Sequence, residues 1–310
     1  MRKWRRRKFT IAIGSNSAAK GQMRMVRGLF VGLATVDLIY EVDEFPAPNT
    51  KVAARSQQIF AGGPATNACV TFAHLGGAAA LVTVLGRHVL AEAARAELRR
   101  YAIEVLDLNP QFDEAPALSS VTVDRQGRRN VVSANAVRLP VPRVEPEAGC
   151  IRQAGIVLAD GHHMQACLAW ARAAHEQGKP VVLDGGSWKD GTDALLPYVH
   201  TAICSADFRP PACASEDEVI AWLRARGVRQ VAITRGPEPV RYATEVEAGT
   251  IPIPHVDVVD TMGAGDVFHG AYCWHAAQGR GFVEALSEAA RLASDSCRWR
   301  GPRQWMRARS

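Results

Sequence analysis

The sequence predicts an α/β protein with a mostly parallel central sheet that is flanked by helices on both faces. Through most of the 310 residues, short apolar runs of strand length alternate with longer segments of helical periodicity, the order that βαβ units produce. Hydrophobic residues make up 47% of the chain, enough for a large core. No apolar run approaches the roughly 18 residues that a membrane span requires, so we expect no membrane partner.

The predicted fold begins at Gly28 and covers residues 28–310. Its first strand, at 29–33, is buried and ends near Asp37. Further strands of the same sheet are predicted at 81–85, 156–160, 181–184, 201–204 and 231–234, with helices at 165–177 and 216–226. A hairpin is predicted at 240–250.

Two segments interrupt this alternation and predict a second, smaller sheet. Residues 51–60 alternate between polar and apolar side chains, which is typical of a strand with one exposed face. Runs at 119–123 and 130–133 flank Arg125-Gln126-Gly127-Arg128, a pattern typical of a hairpin. We therefore expect a small β-sheet lid inserted at about 43–60 and 115–135.

The basic charge of the chain is confined to its first 27 residues. That segment carries nine Lys and Arg and no acid, and the remainder holds 28 basic residues against 31 acidic ones. The net charge of +6 therefore predicts no nucleic-acid partner for the fold. We expect residues 1–27 to be a disordered extension, with Met23 or Met25 as the true start. A nucleic-acid-binding arm and a twin-arginine export signal remain alternatives, although 11–14 is short for the apolar core of a signal.

Cysteine and histidine spacing indicates no metal site. The seven cysteines are widely spaced and never form a Cys-x-x-Cys pair, and the nine histidines show no metal-ligand pattern. The thiols are therefore expected to be reduced, which is typical of a cytoplasmic protein.

The segment 258–270 carries the strongest functional signal. Gly263, Ala264 and Gly265 leave the backbone bare where a helix begins, so their N–H groups can bind an anion. Asp266 follows immediately and can accept a proton from an attacking hydroxyl. This combination favours phosphoryl transfer. The alternative is an ordinary loop in which Asp266 is a first-turn acid.

Polar residues also follow several predicted strands, where a parallel sheet binds its ligands. They are Asp37, Asp160, Asp184, Ser205 and the turn Thr234-Arg235-Gly236. Helix capping is the alternative role for each of them.

Two segments resemble the signatures of the ribokinase-like (PfkB) carbohydrate kinases. Residues 260–266, Asp-Thr-Met-Gly-Ala-Gly-Asp, are similar to the second signature, and residues 61–68 with His74-Leu75-Gly76 are similar to the first. The resemblance implies a ribokinase-like fold and transfer of the γ-phosphate of ATP, with Mg²⁺, to a hydroxymethyl group of a sugar. It also implies that the lid covers the sugar and joins two copies of the chain in a homodimer.

The same resemblance assigns the site residues. Asp266 is implied to be the catalytic base, and Gly263, Ala264 and Gly265 to form the anion hole. The sugar site is implied to include Asp37, Gly62, Gly63 and Asn67, with Lys51 and Asp160 as further candidates. Nucleotide binding is implied for Ser205, Thr234 and Gly236 together with Gly263 and Gly265, and Asp260 is a candidate for binding a monovalent cation such as K⁺.

Three segments depart from the family pattern. Residues 205–208 lack the Glu that organises metal-bound water, residues 86–92 lack the usual Gly-Asp-Asp turn, and residues 292–306 are short and rich in Arg and Trp. These departures leave open a catalytically weak relative that binds sugar or nucleotide for regulation.

The choice of acceptor also stays open. The pattern is nearest the fructokinase and sulfofructose-kinase branch, which favours a ketose such as fructose, and a nucleoside kinase of the same fold is the alternative. A Walker-type NTPase and a nicotinamide oxidoreductase are not supported, because neither glycine pattern occurs.

Overall fold

The computed structural model describes residues 25–134, 139–142 and 145–308. Its strands, in chain order, are β1 (Arg27–Val31), β2 (Thr35–Glu41), β3 (Ser56–Gly62), β4 (Ala78–Thr83), β5 (Glu104–Asp107), β6 (Leu118–Val123), β7 (Arg129–Ala134), β8 (Ile156–Ala159), β9 (Val181–Gly185), β10 (Thr201–Ser205), β11 (Gln230–Arg235), β12 (Glu238–Ala243) and β13 (Ala248–Ile251). Its helices are α1 (Pro64–His74), α2 (Val89–Arg100), α3 (Ala148–Gln153), α4 (Met164–Glu176), α5 (Thr192–Leu195), α6 (Glu216–Arg224), α7 (Ala264–Ala277), α8 (Phe282–Ser296) and α9 (Gln304–Arg307).

The central sheet has the strand order β13-β12-β11-β10-β9-β8-β1-β4-β5. Neighbouring strands from β11 to β5 run parallel, and β12 and β13 add an antiparallel edge. The six strands and the hairpin predicted from sequence are therefore confirmed as members of this sheet.

Helices cover both faces of the central sheet, as predicted, because successive strand residues point to opposite sides. Phe30 packs in a cluster with residues of α1, α7 and α8, whereas Leu29 and Val31 pack in a second cluster with residues of α3, α4 and α6. The site therefore forms on a scaffold that is packed from two sides.

The lid sheet consists of β2, β3, β6 and β7 in the order β3-β2-β6-β7. Its hairpin β6–β7 lies where the sequence predicted it. The prediction that the first strand ends near Asp37 is wrong, because β1 ends at Val31 and Asp37 lies in the middle of β2. The chain leaves the central sheet at Gly32 and enters the lid at Thr35, so the lid begins earlier than the predicted residue 43.

The fold also begins slightly earlier than Gly28. Val26 is buried, and Arg27 opens β1, where its guanidinium donates to Gln153 and pairs with Glu104. Arg27 therefore belongs to the sheet. The expected extension otherwise falls on residues 1–24, which lie outside the described residues. In the part of the chain that is described, no helix combines the length and apolar character needed to span a bilayer.

Candidate active site

The first turn of α7 forms the centre of the site. Gly263 precedes this helix in the left-handed conformation, with φ of 72°, a conformation that glycine adopts without strain. The first-turn amides of a helix have no intrahelical acceptor and carry the positive end of its dipole. A Cβ placed on Gly265 would meet no atom within 4 Å, so this part of the helix faces open space. The turn is therefore shaped to bind an anion.

Close packing of α1 against α7 brings Asn67 next to Asp266. A Cβ at Gly270 would lie only 2.3 Å from the carbonyl oxygen of Ala68, so glycine is what permits the two helices to approach. At this crossing, Asn67 Nδ2 donates a hydrogen bond to Asp266 Oδ2 at 2.7 Å. Asn67 Oδ1 is buried and has no hydrogen-bond partner among the described residues. It is thus an acceptor that a ligand hydroxyl would satisfy.

Asp266 lies in an environment that favours its protonated form. Burial and the nearby carboxyl of Asp184 raise the pKa of Asp266 to about 7, against the hydrogen bond from Asn67 and the charge of His269. Burial also raises the pKa of Asp184. A carboxyl that titrates near neutral pH is well matched to general base catalysis.

Three of the residues predicted for the sugar site, Asp37, Gly62 and Gly63, meet at the base of the lid. Asp37 Oδ1 accepts a hydrogen bond from Thr35 Oγ1 at 2.6 Å, and burial raises the pKa of Asp37. A Cβ on Gly62 would lie 1.8 Å from Asp37 Oδ2, and one on Gly63 would lie 2.3 Å from the carbonyl oxygen of Leu33. Both glycines are therefore required by close contacts, and the helix they introduce, α1, carries Asn67.

A cavity of about 480 Å³ opens beside the first turn of α7. Thr234, Gly236, Ala264 and Gly265 line it near the helix terminus. Its remaining wall is mainly apolar and includes Val240 of β12, Ile253, Phe268 of α7, Ala290 and Ala293 of α8, and Cys297 just beyond that helix. An apolar cleft that ends at an anion-binding turn fits a nucleoside triphosphate, because the base is flat and apolar and the phosphates are charged.

Three predicted site residues lie apart from these contacts. Lys51 is exposed in the loop between β2 and β3. Ser205 Oγ donates to the carbonyl oxygen of Gly186 at 2.7 Å, and Ser205 does not line the 480 Å³ cavity. Asp160 is 1% exposed, and its oxygens accept main-chain N–H groups of Leu33, Ala65 and His162. In this geometry Asp160 holds the turns that frame the sugar site.

Asp260 does not fit the role of a free cation ligand. Its Oδ1 accepts from the amide of Met262 at 2.9 Å, and its Oδ2 accepts from that of Gly301 at 2.8 Å. Arg129, at the start of β7 in the lid, lies 4.0 Å from Asp260 Oδ1 and donates to Thr261 Oγ1 at 3.0 Å. The Arg129 guanidinium thus already supplies a positive charge beside the carboxylate that would have to bind K⁺.

The segment that lacks the Gly-Asp-Asp turn has its own local support. Asp107, at the end of β5, accepts from the amides of Leu85 and Gly86, and its carboxylate pairs with Arg95, which also donates to the Gly86 carbonyl oxygen. The turn is therefore fixed by a carboxylate from a neighbouring strand. This contact has no local sequence signal, because Asp107 lies 21 residues beyond Gly86.

The arginine-rich C-terminal segment is also part of the site's support. Arg303 is 5% exposed and donates to Glu97 Oε1 at 2.8 Å and to the carbonyl oxygen of Ala61 at 2.7 Å. Glu97 in turn accepts from the Ala61 amide at 2.5 Å. This buried ion pair fixes the backbone just before Gly62. Its sequence signal, one Arg among several near the C-terminus, was indistinguishable from a solvated charge.

Known proteins resemble this chain over most of its length. Residues 27–307 match the model of the pfkB family carbohydrate kinases. The chain is 27% identical over 248 residues to the ATP-dependent ribose-1-phosphate kinase of Halopiger xanaduensis, covering 80% of this chain and 84% of the relative. It is 23% identical over 293 residues to the ketohexokinase of Mus musculus, covering 88% and 96%.

Solved structures show the same fold. Ribokinase from Thermotoga maritima superposes with a TM-score of 0.76 at 21% identity, covering 92% of this chain and 98% of that one. Arabidopsis thaliana ribokinase in complex with ribose and ATP superposes with a TM-score of 0.72 at 24% identity, covering 89% and 94%.

Proposed function

This chain belongs to the PfkB family of carbohydrate kinases, and from that premise we propose that it transfers the γ-phosphoryl group of ATP to a hydroxymethyl group of a ketose such as fructose. One observation carries the proposal. Asp266, with a pKa near 7, accepts a hydrogen bond from Asn67 at the same helix terminus that closes the 480 Å³ cavity. The sugar hydroxyl that accepts the phosphoryl group and the ATP that donates it can therefore meet at one carboxylate.

The sugar is held between the lid and α1. Asn67 Oδ1 is an unsatisfied buried acceptor, and Asp37 offers its carboxylate across Gly62. Both groups accept hydrogen bonds from hydroxyls, which suits a neutral polyol better than an acidic sugar, because a carboxylate repels an anion. The lid strands exclude water from the acceptor.

Transfer then follows from the position of Asp266. The carboxylate accepts the proton of the attacking sugar hydroxyl. The oxygen of that hydroxyl bonds to the γ-phosphorus, while the bond between the γ-phosphorus and the bridging β-phosphate oxygen breaks and leaves ADP. Amides of the Gly263–Gly265 turn stabilise the charge that develops on the transferring group. Thr234 and Gly236 contact the phosphates from the opposite wall of the cavity.

Magnesium enters this proposal with the nucleotide. No cluster of three or more His, Cys, Asp or Glu side chains suited to a metal occurs among the residues that the structure describes. Mg²⁺ would therefore be held mainly by phosphate oxygens, where it neutralises their charge. We propose no role for K⁺ at Asp260, because the Arg129 guanidinium already lies 4.0 Å from its Oδ1.

The acceptor is tested by measuring ADP release from MgATP over a panel of fructose, ribose, sugar acids and nucleosides. A ketose is expected to give the highest kcat/KM. Preference for ribose or for a nucleoside would contradict the ketose assignment and leave the kinase chemistry standing. Tight sugar binding without ADP release would instead support a regulatory relative.

The base is tested with Asp266→Asn, which keeps the shape of the side chain and removes its basicity. We expect kcat to fall by roughly 10²–10⁴, the usual contribution of a positioned base, in a variant that keeps its circular dichroism spectrum. Asp193→Asn is the matched control, because Asp193 is an exposed first-turn acid of α5. Near-normal turnover of Asp266→Asn would refute the assignment.

A further inference from the structure

A buried histidine lies one helical turn beyond the proposed base. His269, on α7, is 5% exposed, and each of its ring nitrogens faces a main-chain acceptor. Nδ1 lies 2.8 Å from the carbonyl oxygen of Gly265, and Nε2 lies 3.1 Å from that of Ile203. Nε2 also lies 3.5 Å from Asp184 Oδ1.

Both contacts are hydrogen bonds only if the ring carries two protons. A neutral imidazole has one N–H, so one of its nitrogens would direct a lone pair at a carbonyl oxygen, whereas an imidazolium donates to both. A buried polar group that lacks its hydrogen bond is costly. The geometry therefore favours the charged form of His269.

Asp184 supplies the opposite charge. It lies near the end of β9, is 5% exposed, and its Oδ2 is buried without a hydrogen-bond partner among the described residues. An isolated buried carboxylate is strongly unfavourable, and a neighbouring cation is the usual compensation. The His269 ring is the group in direct contact with it.

We propose that His269 is a positioning residue, held as an imidazolium between Gly265, Ile203 and Asp184, and that the resulting buried ion pair supports the anion-binding turn from below. The imidazolium fixes the Gly265 carbonyl and thereby the peptide that follows it in the first turn of α7. Asp184 Oδ1 lies 3.5 Å from Nε2 on the other side of the ring. The catalytic part of this inference rests on the proposed function, whereas the ion pair itself does not.

Other charges face the same groups. Arg303 lowers the pKa of Asp266 from the C-terminal segment. Asp160 raises the pKa of Asp184, and His162 and Lys189 lower it, from the segments that follow β8 and β9. Asp184 raises the pKa of Asp266 by more than His269 lowers it. Removing the Asp184 charge therefore makes Asp266 easier to deprotonate, whether or not His269 then loses its proton.

The ion pair is tested first in the unmodified protein, by ¹⁵N NMR of the histidine side chains at pH 7.5. The His269 signal, assigned by its loss in His269→Gln, is expected to show both ring nitrogens protonated. A neutral tautomer, with widely separated nitrogen shifts, would overturn the proposal. This readout needs no turnover, so it separates failure of the ion pair from failure of the kinase assignment.

The link to the base is tested with the pH profile of kcat/KM in Asp184→Asn. Its acid limb is expected to move down by about one pH unit, because a nearby negative charge is gone. His275→Gln is the matched control, since His275 is a second buried histidine of α7, distant from the base. An unmoved limb in Asp184→Asn would show that Asp184 is already neutral and would overturn the proposal.

A double-mutant cycle tests the pairing. His269→Gln leaves a buried carboxylate without its cation, so its urea midpoint is expected to fall below that of the double variant with Asp184→Asn, in which both charges are gone. Additive losses would contradict an ion pair.

Discussion

At the scale of single residues, the sugar site depends on a contact that tolerates no side chain at Gly62. In Gly62→Ala the new Cβ would lie 1.8 Å from Asp37 Oδ2. Since such an approach displaces the carboxylate, KM for the sugar is expected to rise about tenfold or more, the loss of roughly one charged hydrogen bond, with less effect on KM for ATP. Gly149→Ala is the control, because the nearest atom to its new Cβ is 3.8 Å away. An unchanged sugar KM in Gly62→Ala would remove Asp37 from the site.

The titration of Asp266 predicts both an activity profile and a stability profile. Burial and Asp184 raise its pKa to about 7 from the ordinary 3.8, so kcat/KM is expected to fall as pH decreases through about 7. The folded state binds this proton more tightly than the unfolded state, and the group therefore lowers stability as pH rises from about 4 to about 7.

Asp266→Asn removes the loss of stability that ionisation of the buried carboxyl causes. At pH 8 the variant is expected to be more stable than the parent chain by up to about 4 kcal/mol, measured by urea unfolding, while being almost inactive. At pH 4 the two proteins are expected to unfold at the same midpoint. A variant that is destabilised at pH 8 would show that the Asn67 hydrogen bond outweighs the burial of charge.

At the scale of elements, the crossing of α1 and α7 aligns Asn67 with Asp266. Gly270→Ala would place a Cβ 2.3 Å from the Ala68 carbonyl oxygen and 2.6 Å from Thr71 Cβ. Forcing the helices apart is expected to cost about 1–3 kcal/mol and to reduce kcat more than sugar binding, because the base loses its partner. Unfolding and steady-state kinetics of this variant check both effects. Ala276→Gly tests the same helix away from the crossing.

The elements also show which parts of the structure local sequence can predict. Strands of the central sheet were predicted because each is a short apolar run, buried on both faces, such as 156–160. β2 was not predicted, because the charged residue Asp37 in its middle interrupts the apolar run that indicates a buried strand. The glycine turn and Asp266 were found because adjacent residues carry that signal.

Contacts between distant segments were not predictable in this way. His269 stood within the 258–270 motif and Asp184 was noted at a strand end, yet only the fold places them 3.5 Å apart. The same holds for Arg303 and Glu97, which are 206 residues apart. Such pairs have no local pattern, because each member alone resembles a surface charge.

At the scale of the whole molecule, the lid sheet leaves apolar side chains exposed on its surface. One row across its four strands is Phe60, Asp37, Ser119 and Ser133, on the side of the sugar site. The next row, on the opposite side, is Ile59, Leu38, Ser120 and Val132. Ile59 is 50% exposed and Val132 is 76% exposed. An exposed apolar row on a sheet is typical of a surface that a partner covers.

We predict that a second copy of the chain covers this outer face. A lid that closes over sugar on one side gains rigidity if its other side is buried, and burial of Ile59 and Val132 supplies the driving force. Light scattering on a sizing column is expected to give twice the chain mass for the parent protein and the monomer mass for Val132→Lys. Val246→Lys is the control, because Val246 is 91% exposed in the turn between β12 and β13. A monomeric parent protein, or a Val132→Lys variant that remains dimeric, would contradict this assembly, whereas a monomeric variant with a raised sugar KM would show that the second copy stabilises the closed lid.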